Sequence, residues 1–579
     1  MKRETTDNMA AHLSGESRDP QAGNWLAQGL WLMTILAAGV GLRLGALDFG
    51  APSAFARPDE ELGIREALFL LGGDPHVHFH SYGDGWPRLL ALVYRLEGRV
   101  SKDGESPPIL AWMKDPLPFH WTARSVSAVL GALTILLVWA LARRWGGGRA
   151  GLWAAGVYAT APLAVLHAHF ATVDTLGAFL TTLAVLLTVM ARGRRSLLLG
   201  AAFMAGAAAG VKLPLALVLA APLLAPRGSF RSRFAHGAFA AAAFLTGLVA
   251  VSPSWLTEPL LVWQRIVLEG ASQAARRGDL GLIDAGGHLL HWSLWAGLGP
   301  VGVLASLAAV PALVKCRGGF LPFLLGGGWL VVHAAVGTPF SRYLLPVLPL
   351  LAAGAGVGLS RWPLRFPAGS EVLLVAALAY SALSPSLEIL GALRRPDTRG
   401  ELLRAFDAGR LPRDAYVVVP GYLFGLAPPA KDITWRGVSL SGPGEDCPDR
   451  RRQWEAASRD LAASPPPGPV WQHLGPMDEE SLSLRGLSGG SELLIAFLWT
   501  DDLFMKAWSG EALRKRVFQG LQRSLDAGEI ELHRLWTSDP GLRSPDSYEP
   551  WDYWFVPLIA PTVQRRPGPR IEVWSVRKK

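Results

Sequence analysis

Asp59 and Glu60 stand side by side behind Pro58 in FARPDEELG (Phe55 to Gly63), just past a long apolar run. A carboxylate beside a dry, basic pocket stays ionised at neutral pH and can take a proton from an alcohol that attacks an electrophilic carbon. The plainer alternative is helix capping, because Asp-Glu after a proline suits a first helical turn, where negative charge meets the positive end of the dipole. From the dipeptide alone capping is the more ordinary explanation. The roles are compatible if Glu60 caps while Asp59 points into a cleft. Asp174, in HAHFATVDTLGAFL, poses a similar choice between an N-terminal cap and a second acidic group that orients an acceptor or holds a divalent cation.

Histidines accompany both acidic sites. His167 and His169 share a face if HAHFATVD (His167 to Asp174) is extended, although neutral histidines at a membrane edge more often satisfy backbone groups. In DPHVHFHSYGDGWP (Asp74 to Pro87), His76, His78 and His80 alternate and would line one side of a strand. No cysteine or second acidic cluster stands nearby at metal-ligand spacing, so packing or substrate hydrogen bonding is the better reading there. A divalent cation is permitted by this set of carboxylates and histidines but not demanded.

The cations complete the chemical inventory: Arg43, Arg124, Lys212 and Arg342. A leaving phosphate gains charge as its bond breaks, and Arg offers it a bidentate fork where Lys offers a point charge. Snorkelling to headgroups is the rival explanation and suits Arg43. It suits Lys212 less well, wedged between GAAAGV and LPLALV with no long loop to escape into.

These residues need a scaffold, and it is a membrane one. The chain of 579 residues is 50% hydrophobic while carrying a formal net charge of +9, with a mean hydropathy of +0.25. Apolar runs near twenty residues, long enough for about 30 Å of hydrocarbon, recur from Trp25 to about Leu390. The basic residues sit in short connectors between these runs, which argues against nucleic acid as a partner and for membrane lipids. No small-residue cleavage site follows the first run, so it reads as a retained span. Cys316 and Cys447 fall on opposite sides of the bilayer in this scheme and form no disulfide framework.

The connectors set the topology. They are the tail (Lys2, Arg3, Arg18), RRWGGGR (Arg143 to Arg149), RGRR (Arg192 to Arg195), PRGSFRSR (Pro226 to Arg233), KCR (Lys315 to Arg317) and SRWPLR (Ser360 to Arg365). With all six cytoplasmic, an even number of crossings separates each from the next, and about eleven crossings result. Residues 1–24 form a cytoplasmic tail, 25–391 the membrane domain with a first outer loop at 48–122, and 392–579 an extracytoplasmic α/β domain. The outer face also receives HAHFATVD, the turn at Lys212, a loop from Pro253 to about Gly287 and GTPFSR (Gly337 to Arg342). In the C-terminal part AYVVV, ELLIAFLW and RIEVWSV read as strands, Glu511 to Asp526 as an amphipathic stretch and PPPGP (Pro465 to Pro469) as a loop. The polar chemistry converges on one face, and ionisable groups at a membrane edge are functional candidates by default.

In order along the chain, RPDE, GGDPHVHFHSYG, FHWTARSVSAVLGALTI, HAHFATVDTLGAFLTTLAVL, GAAAGVKLPLALVLAAPLL and SRYLLPVLPLLAAGAGVGL resemble the polyprenyl-phosphate-sugar-dependent glycosyltransferases of the GT-C fold. That group includes protein O-mannosyltransferases and lipid A aminoarabinose transferases. QRRPGPRIEVWSV resembles the ending of bacterial members. The resemblance implies an inverting transfer of sugar from a polyprenyl-phosphate carrier to a protein, lipid or glycan hydroxyl, at the outer face of the cytoplasmic membrane. It implies Asp59 as base with Glu60 beside it, Asp174 as a second acidic position, and Lys212 and Arg342 toward the carrier phosphate. Arg124, His169, His78 and His80 join the expected substrate-binding set. The departure from the family pattern is DGWP, where a simpler Tyr-Pro-like element is expected.

Two rivals remain at this level. A lipid or sugar transporter would show internal repeats and helices broken at mid-membrane, whereas here the polar groups gather at one face. An inactive scaffold of the same fold would keep the architecture without needing Asp59. The absence of a P-loop, or of GxGxxG between a strand and a helix, fits a donor that carries no nucleotide.

Overall fold

The computed structural model describes residues 25–54, 56–57, 59–78, 82–99, 107–225, 229–277, 281–336, 339–361, 370–420, 448–463, 470–474, 493–499, 519, 522–528, 530–538 and 570–578. His80, Cys447, PPPGP, most of Glu511 to Asp526 and the RPGP of the C-terminal motif lie outside these residues.

Among the described residues α1 (Trp25–Leu44) comes first, followed by three short helices: α2 (Glu60–Leu71), α3 (Gly85–Leu96) and α4 (Pro108–Lys114). The helix α5 (Leu117–Ala159) is two helices joined at Gly147, whose φ of +82° breaks it inside the basic RRWGGGR connector. A Cβ on Gly151 would lie 2.9 Å from Trp139 Cδ1, so the two halves lie back to back. The short α6 (Pro162–Ala168) and the long α7 (Val173–Met190) flank HAHFATVD, and α8 (Arg195–Val211) ends at Lys212. There Pro214 opens a 3-10 segment, Leu213–Leu219.

The chain continues through α9 (Phe230–Val251), α10 (Pro259–Arg277) and α11 (Leu282–Leu289), the last running on through a π segment, Leu290–Ala296. After α12 (Pro300–Ala308) and α13 (Leu321–Val336), a 3-10 turn, Ser341–Val347, leads into α14 (Leu348–Arg361). The helices α15 (Ser370–Leu378), α16 (Ser384–Leu393) and α17 (Thr398–Asp407) carry it to the C-terminal region.

Among the described residues six helices are long and apolar enough to cross a membrane. A seventh candidate is the pair Leu282–Ala296 and Pro300–Ala308, bent by 101°, and three shorter apolar helices accompany them. The α7 helix and Ser341–Arg361 are largely buried, whereas α1, α9 and α15 expose Trp25, Trp31, Phe234 and Leu373 as lipid-facing surface. Small residues let α8 and α9 approach: a Cβ on Gly206 would fall 1.9 Å from the Phe244 carbonyl, and one on Gly247 2.1 Å from that of Phe203. Without a strong hydrophobic drive between helices in lipid, such backbone contact supplies the packing.

One expectation needs correcting. The stretch from Pro253 to about Gly287, read as a loop, contains α10. Its apolar residues Leu260, Trp263, Val267 and Leu268 are exposed while Val262 is buried. A helical stripe interrupted by Arg265, Glu269 and Gln273 is short of a spanning pattern, which is why it reads as loop from hydropathy alone.

The C-terminal part forms a five-stranded sheet, ordered β2-β1-β3-β5-β4. Its strands are β1 (Tyr416–Pro420), β2 (Val470–Leu474), β3 (Leu493–Trp499), β4 (Ile530–Ser538) and β5 (Arg570–Lys578), with α18 (Pro448–Ala463) between β1 and β2. The β1 strand pairs in parallel with β2 and β3, and β5 pairs antiparallel with β3 and β4. Leu402 and Phe406 of α17 pack on Val417, Leu494, Ile571 and Val573 as a small separate core. The sheet strands AYVVV, ELLIAFLW and RIEVWSV are those expected from their β-branched and aromatic runs.

Candidate active site

The site is assembled around a buried ion pair. Arg124, on the first half of α5, donates through Nε to Glu60 Oε1 at 3.0 Å and through Nη2 to Oε2 at 2.7 Å. Its Nη1 also reaches the carbonyls of Leu47 and Phe49 at 2.9 and 3.0 Å, and the guanidinium stacks on the Phe49 ring at 3.7 Å. Glu60 Oε1 in turn accepts from the Ala171 backbone N–H at 2.8 Å. Both side chains are 0% exposed, a state that a charge tolerates only when paired and hydrogen-bonded. Burial alone would raise the Glu60 carboxyl, but the Arg124 charge, its hydrogen bonds and the His120 ring 3.6 Å away hold it at about 2. One pair thus ties α2, α5 and the HAHFATVD turn into a single corner.

Asp59 is the residue that this corner presents. It precedes α2 with φ +69° and makes no side-chain capping bond, so the capping alternative is not realised for it. A left-handed non-glycine residue costs about 1–3 kcal/mol, and such positions cluster where the backbone aims a side chain. The Asp59 side chain is 29% exposed, with Oδ2 3.5 Å from Arg342 Nη2. It lines a narrow cleft with Leu62, Gly63, Glu66, Tyr82, Trp86 and Thr172 among its walls.

A second acid-base pair lies beside the first. Asp174, in the first turn of α7, accepts from Lys212 Nζ at 2.9 Å. Lys212 caps α8 in an extended conformation (φ −156°, ψ 116°), which turns its side chain out of the helix path. The ammonium lies 4.4 Å from the Tyr343 ring centroid and 5.5 Å from that of Tyr82, a range in which the ring quadrupole attracts it. Arg342 is the second residue of the 3-10 turn Ser341–Val347 and stacks on Phe340 at 4.3 Å, and Ser293 Oγ donates to the adjoining Ser341 carbonyl at 2.8 Å. Asp59, Asp174, Lys212 and Arg342, far apart in sequence, therefore meet around Tyr82 and Tyr343.

The expected ligand residues divide. His169 is buried with its ring nitrogens 2.8 Å from the Val165 carbonyl and 3.2 Å from that of Gly45, which ties it to backbone. His78 lies 3.1 Å from Asp74 Oδ2, and its backbone N–H donates to Glu66 Oε2. Arg124 is wrapped by the loop carbonyls and Glu60 described above. Among the described residues no group of three or more His, Cys, Asp or Glu is placed to hold a metal ion.

Tyr82, Tyr343 and His333 escaped the sequence reading. The His333 ring stacks 4.5 Å from Tyr343. Burial pushes the Tyr82 phenol well above its usual range, so it is an O–H donor at neutral pH. The signal was present in SYGDGWP and SRYLLP, where Tyr82 lies two residues after His80 and Tyr343 adjoins Arg342, but aromatic residues at a membrane edge are common. Gly83 explains part of that motif: a Cβ there would lie 1.9 Å from the Gly210 carbonyl, and its N–H donates to Val211 O at 3.0 Å. This close approach seats Tyr82 beside Lys212. DGWP is a buttress, because Asp84 accepts from Ser254 Oγ at 2.7 Å and Trp86 donates to the Ala171 carbonyl at 3.1 Å.

Glu61, next to this pair, supplies a pH-dependent test of burial. Burial raises its carboxyl to about 7, with the Asp59 and Glu60 charges adding to the rise. Between about 4.5 and 7 the folded protein keeps a proton that the unfolded chain has lost, so stability falls as pH rises through this window. The Glu61→Gln variant is expected to lose this dependence. Its melting temperature in detergent should change less between pH 5 and 8 than that of the wild type, and an unchanged slope would refute the assignment.

Residues 119–256 match the family model described as dolichyl-phosphate-mannose-protein mannosyltransferase. No curated protein matches the sequence significantly. Among solved structures, ArnT from Cupriavidus metallidurans bound to undecaprenyl phosphate is 15% identical, with a TM-score of 0.52, over 94% of this chain and 98% of that one. The Archaeoglobus fulgidus oligosaccharyltransferase tethered to an acceptor peptide is 14% identical, with a TM-score of 0.42, over 69% of this chain and 62% of that one. The family match over the α5–α9 core and the shared architecture over nearly all of the chain place this multi-pass membrane protein in the GT-C fold.

Proposed function

We propose that the protein is an inverting glycosyltransferase of the cytoplasmic membrane, moving a sugar from a polyprenyl-phosphate carrier to an acceptor hydroxyl at the outer face. The observation that carries this reading is the placement of Asp59, uncapped and partly exposed in a cleft, 3.5 Å from Arg342 and near the Lys212–Asp174 pair. The fold supports it, since the similar ArnT structure holds undecaprenyl phosphate.

Asp59 takes the proton of the acceptor hydroxyl as the acceptor oxygen bonds to the anomeric carbon. The bond from that carbon to the phosphate oxygen breaks, and its electron pair stays on the carrier phosphate. Arg342 and Lys212 meet the growing charge, which makes general-acid help to the leaving group unnecessary. Each cation rests on a carboxylate, Asp59 or Asp174, and exchanges it for phosphate when the carrier arrives. That exchange frees Asp59 to act as base only with donor in place. Glu60 and Arg124 hold the corner, and Asp174 keeps Lys212 oriented.

The test is a panel of radiolabelled sugars on undecaprenyl phosphate, offered to the purified protein in lipid. Consumption of one donor, with release of undecaprenyl phosphate, is the expected result; an inert protein that only binds the carrier would point instead to a scaffold. Lys212→Met and Arg342→Gln should each weaken binding of undecaprenyl phosphate about tenfold, as expected for a lost charge-assisted contact. Unchanged affinity in both would remove them from the phosphate site.

A further inference from the structure

The C-terminal region reaches back to the cleft through one helix. Arg450, on α18, donates through Nη1 to Glu66 Oε1 at 2.9 Å and through Nη2 to Oε2 at 2.6 Å. Its Nε lies 3.5 Å from Asp74 Oδ2, and its guanidinium stacks 4.3 Å from the Phe69 ring. Both Arg450 and Glu66 are 7% exposed, so the pair is buried although 384 residues separate its members. Further along α18, Ala457 is fully buried in the same apolar cluster as Trp86 and Trp112. Gln453 packs on Gly72, where a Cβ would meet its Oε1 at 2.0 Å.

Glu66 is also a wall of the Asp59 cleft. It sits two turns along α2 from Asp59, and its Oε2 additionally accepts the His78 N–H. Its charged and titratable surroundings are Asp59, Glu61 and Arg65 from its own helix and its start, Asp74, His76 and His78 from the segment that follows, Tyr82 across the cleft, and Arg450 from α18. Arg450 therefore does two things at once. It cancels a carboxylate that would otherwise add negative charge to a cleft meant for a phosphate-bearing donor, and it pins the helix whose first residue follows Asp59.

We propose that Arg450 is a positioning residue of the active site, neutralising and orienting Glu66 in the wall of the Asp59 cleft, so that α18 of the C-terminal region is a working part of donor binding. This rests on the reading of the cleft as the donor site. It assigns the C-terminal region an electrostatic task in the membrane-side chemistry, beyond acceptor recognition or folding.

The experiment uses the full chain in lipid with Arg450→Gln, Arg450→Lys and the double variant Glu66→Gln/Arg450→Gln. Two readouts need no sugar donor: hydrogen exchange in residues 60–71, and affinity for undecaprenyl phosphate. Arg450→Gln should speed exchange in 60–71 and weaken carrier affinity about tenfold, a coupling of ordinary size for a buried charge pair. The double variant should recover the affinity while exchange stays fast, because the charge is gone but the brace is not restored. Arg450→Lys keeps the charge and loses the fork, so its affinity should stay near that of the wild type with faster exchange. It also decides the matter if Arg450→Gln does not fold.

Recovery of affinity on removing Glu66 is what a mere structural brace would not give. The proposal is overturned if Arg450→Gln binds the carrier as the wild type does, or if the double variant binds no better than the single. With an active donor in hand, the acidic limb of kcat/KM should move to higher pH in Arg450→Gln and return in the double variant. Should the wild type consume no lipid-linked sugar, the transferase reading fails on that result alone, while carrier affinity and exchange still decide the role of Arg450.

Discussion

Replacing Asp59 with Asn is expected to lower turnover about a thousandfold, within the range that general-base removal ordinarily costs, and to leave the protein folded. The side chain caps nothing and is partly exposed, so its loss breaks no packing. Asn keeps the shape but cannot accept the acceptor proton. It also releases Arg342 from its carboxylate partner, so affinity for undecaprenyl phosphate should hold or improve while turnover collapses. That opposite movement separates a base from a binding group. Turnover equal to the wild type in Asp59→Asn would sink the assignment and turn attention to Asp174.

The second large effect is on stability. Arg124→Gln leaves Glu60 ionised and unneutralised in a corner where both side chains are fully buried. Breaking such a pair by removing one partner costs about 3–5 kcal/mol. The loss should appear as a fall in melting temperature and as proteolytic opening of the segment from 48 to 71, since Leu47, Phe49 and Ala54 lose the donor that gathers their carbonyls. Replacing both members, as in Glu60→Gln/Arg124→Gln, should recover part of the stability, because no charge is then stranded. Activity should not return with it, as the Arg124 fork that gathers the loop carbonyls beside Asp59 is gone. A wild-type melting temperature in Arg124→Gln would contradict this account of the corner.

The fold was legible wherever a local rule determined it. Apolar runs marked a multi-pass membrane protein, and the basic RRWGGGR connector holds the break that the structure puts at Gly147. Lys212 between two apolar segments announced a turn, and Pro214 next to it supplied the reason. Three of the five strands of the C-terminal sheet, β1, β3 and β5, showed in their apolar β-forming runs, whereas β2 and β4 did not. Asp59, Asp174, Lys212 and Arg342 stood out because charge at a membrane edge is rare.

What the sequence could not show was who pairs with whom. The choice of Glu60 rather than Asp59 as the partner of Arg124 depends on a backbone twist at φ +69°, which no pattern encodes. His169 facing two carbonyls, and Arg450 reaching Glu66 from 384 residues away, are products of tertiary packing alone. The exposed apolar side of α10 was hidden for another reason: its polar interruptions weaken hydropathy averages while leaving the helical period intact.

The most direct measurement is the anomeric configuration of the transferred sugar, read by NMR on product made from a single lipid-linked donor of known configuration. Attack by an acceptor oxygen deprotonated by Asp59, opposite the leaving phosphate, predicts inversion. Retention would mean a covalent glycosyl-enzyme or a second displacement, and Asp59 would then not be the base that this account makes it.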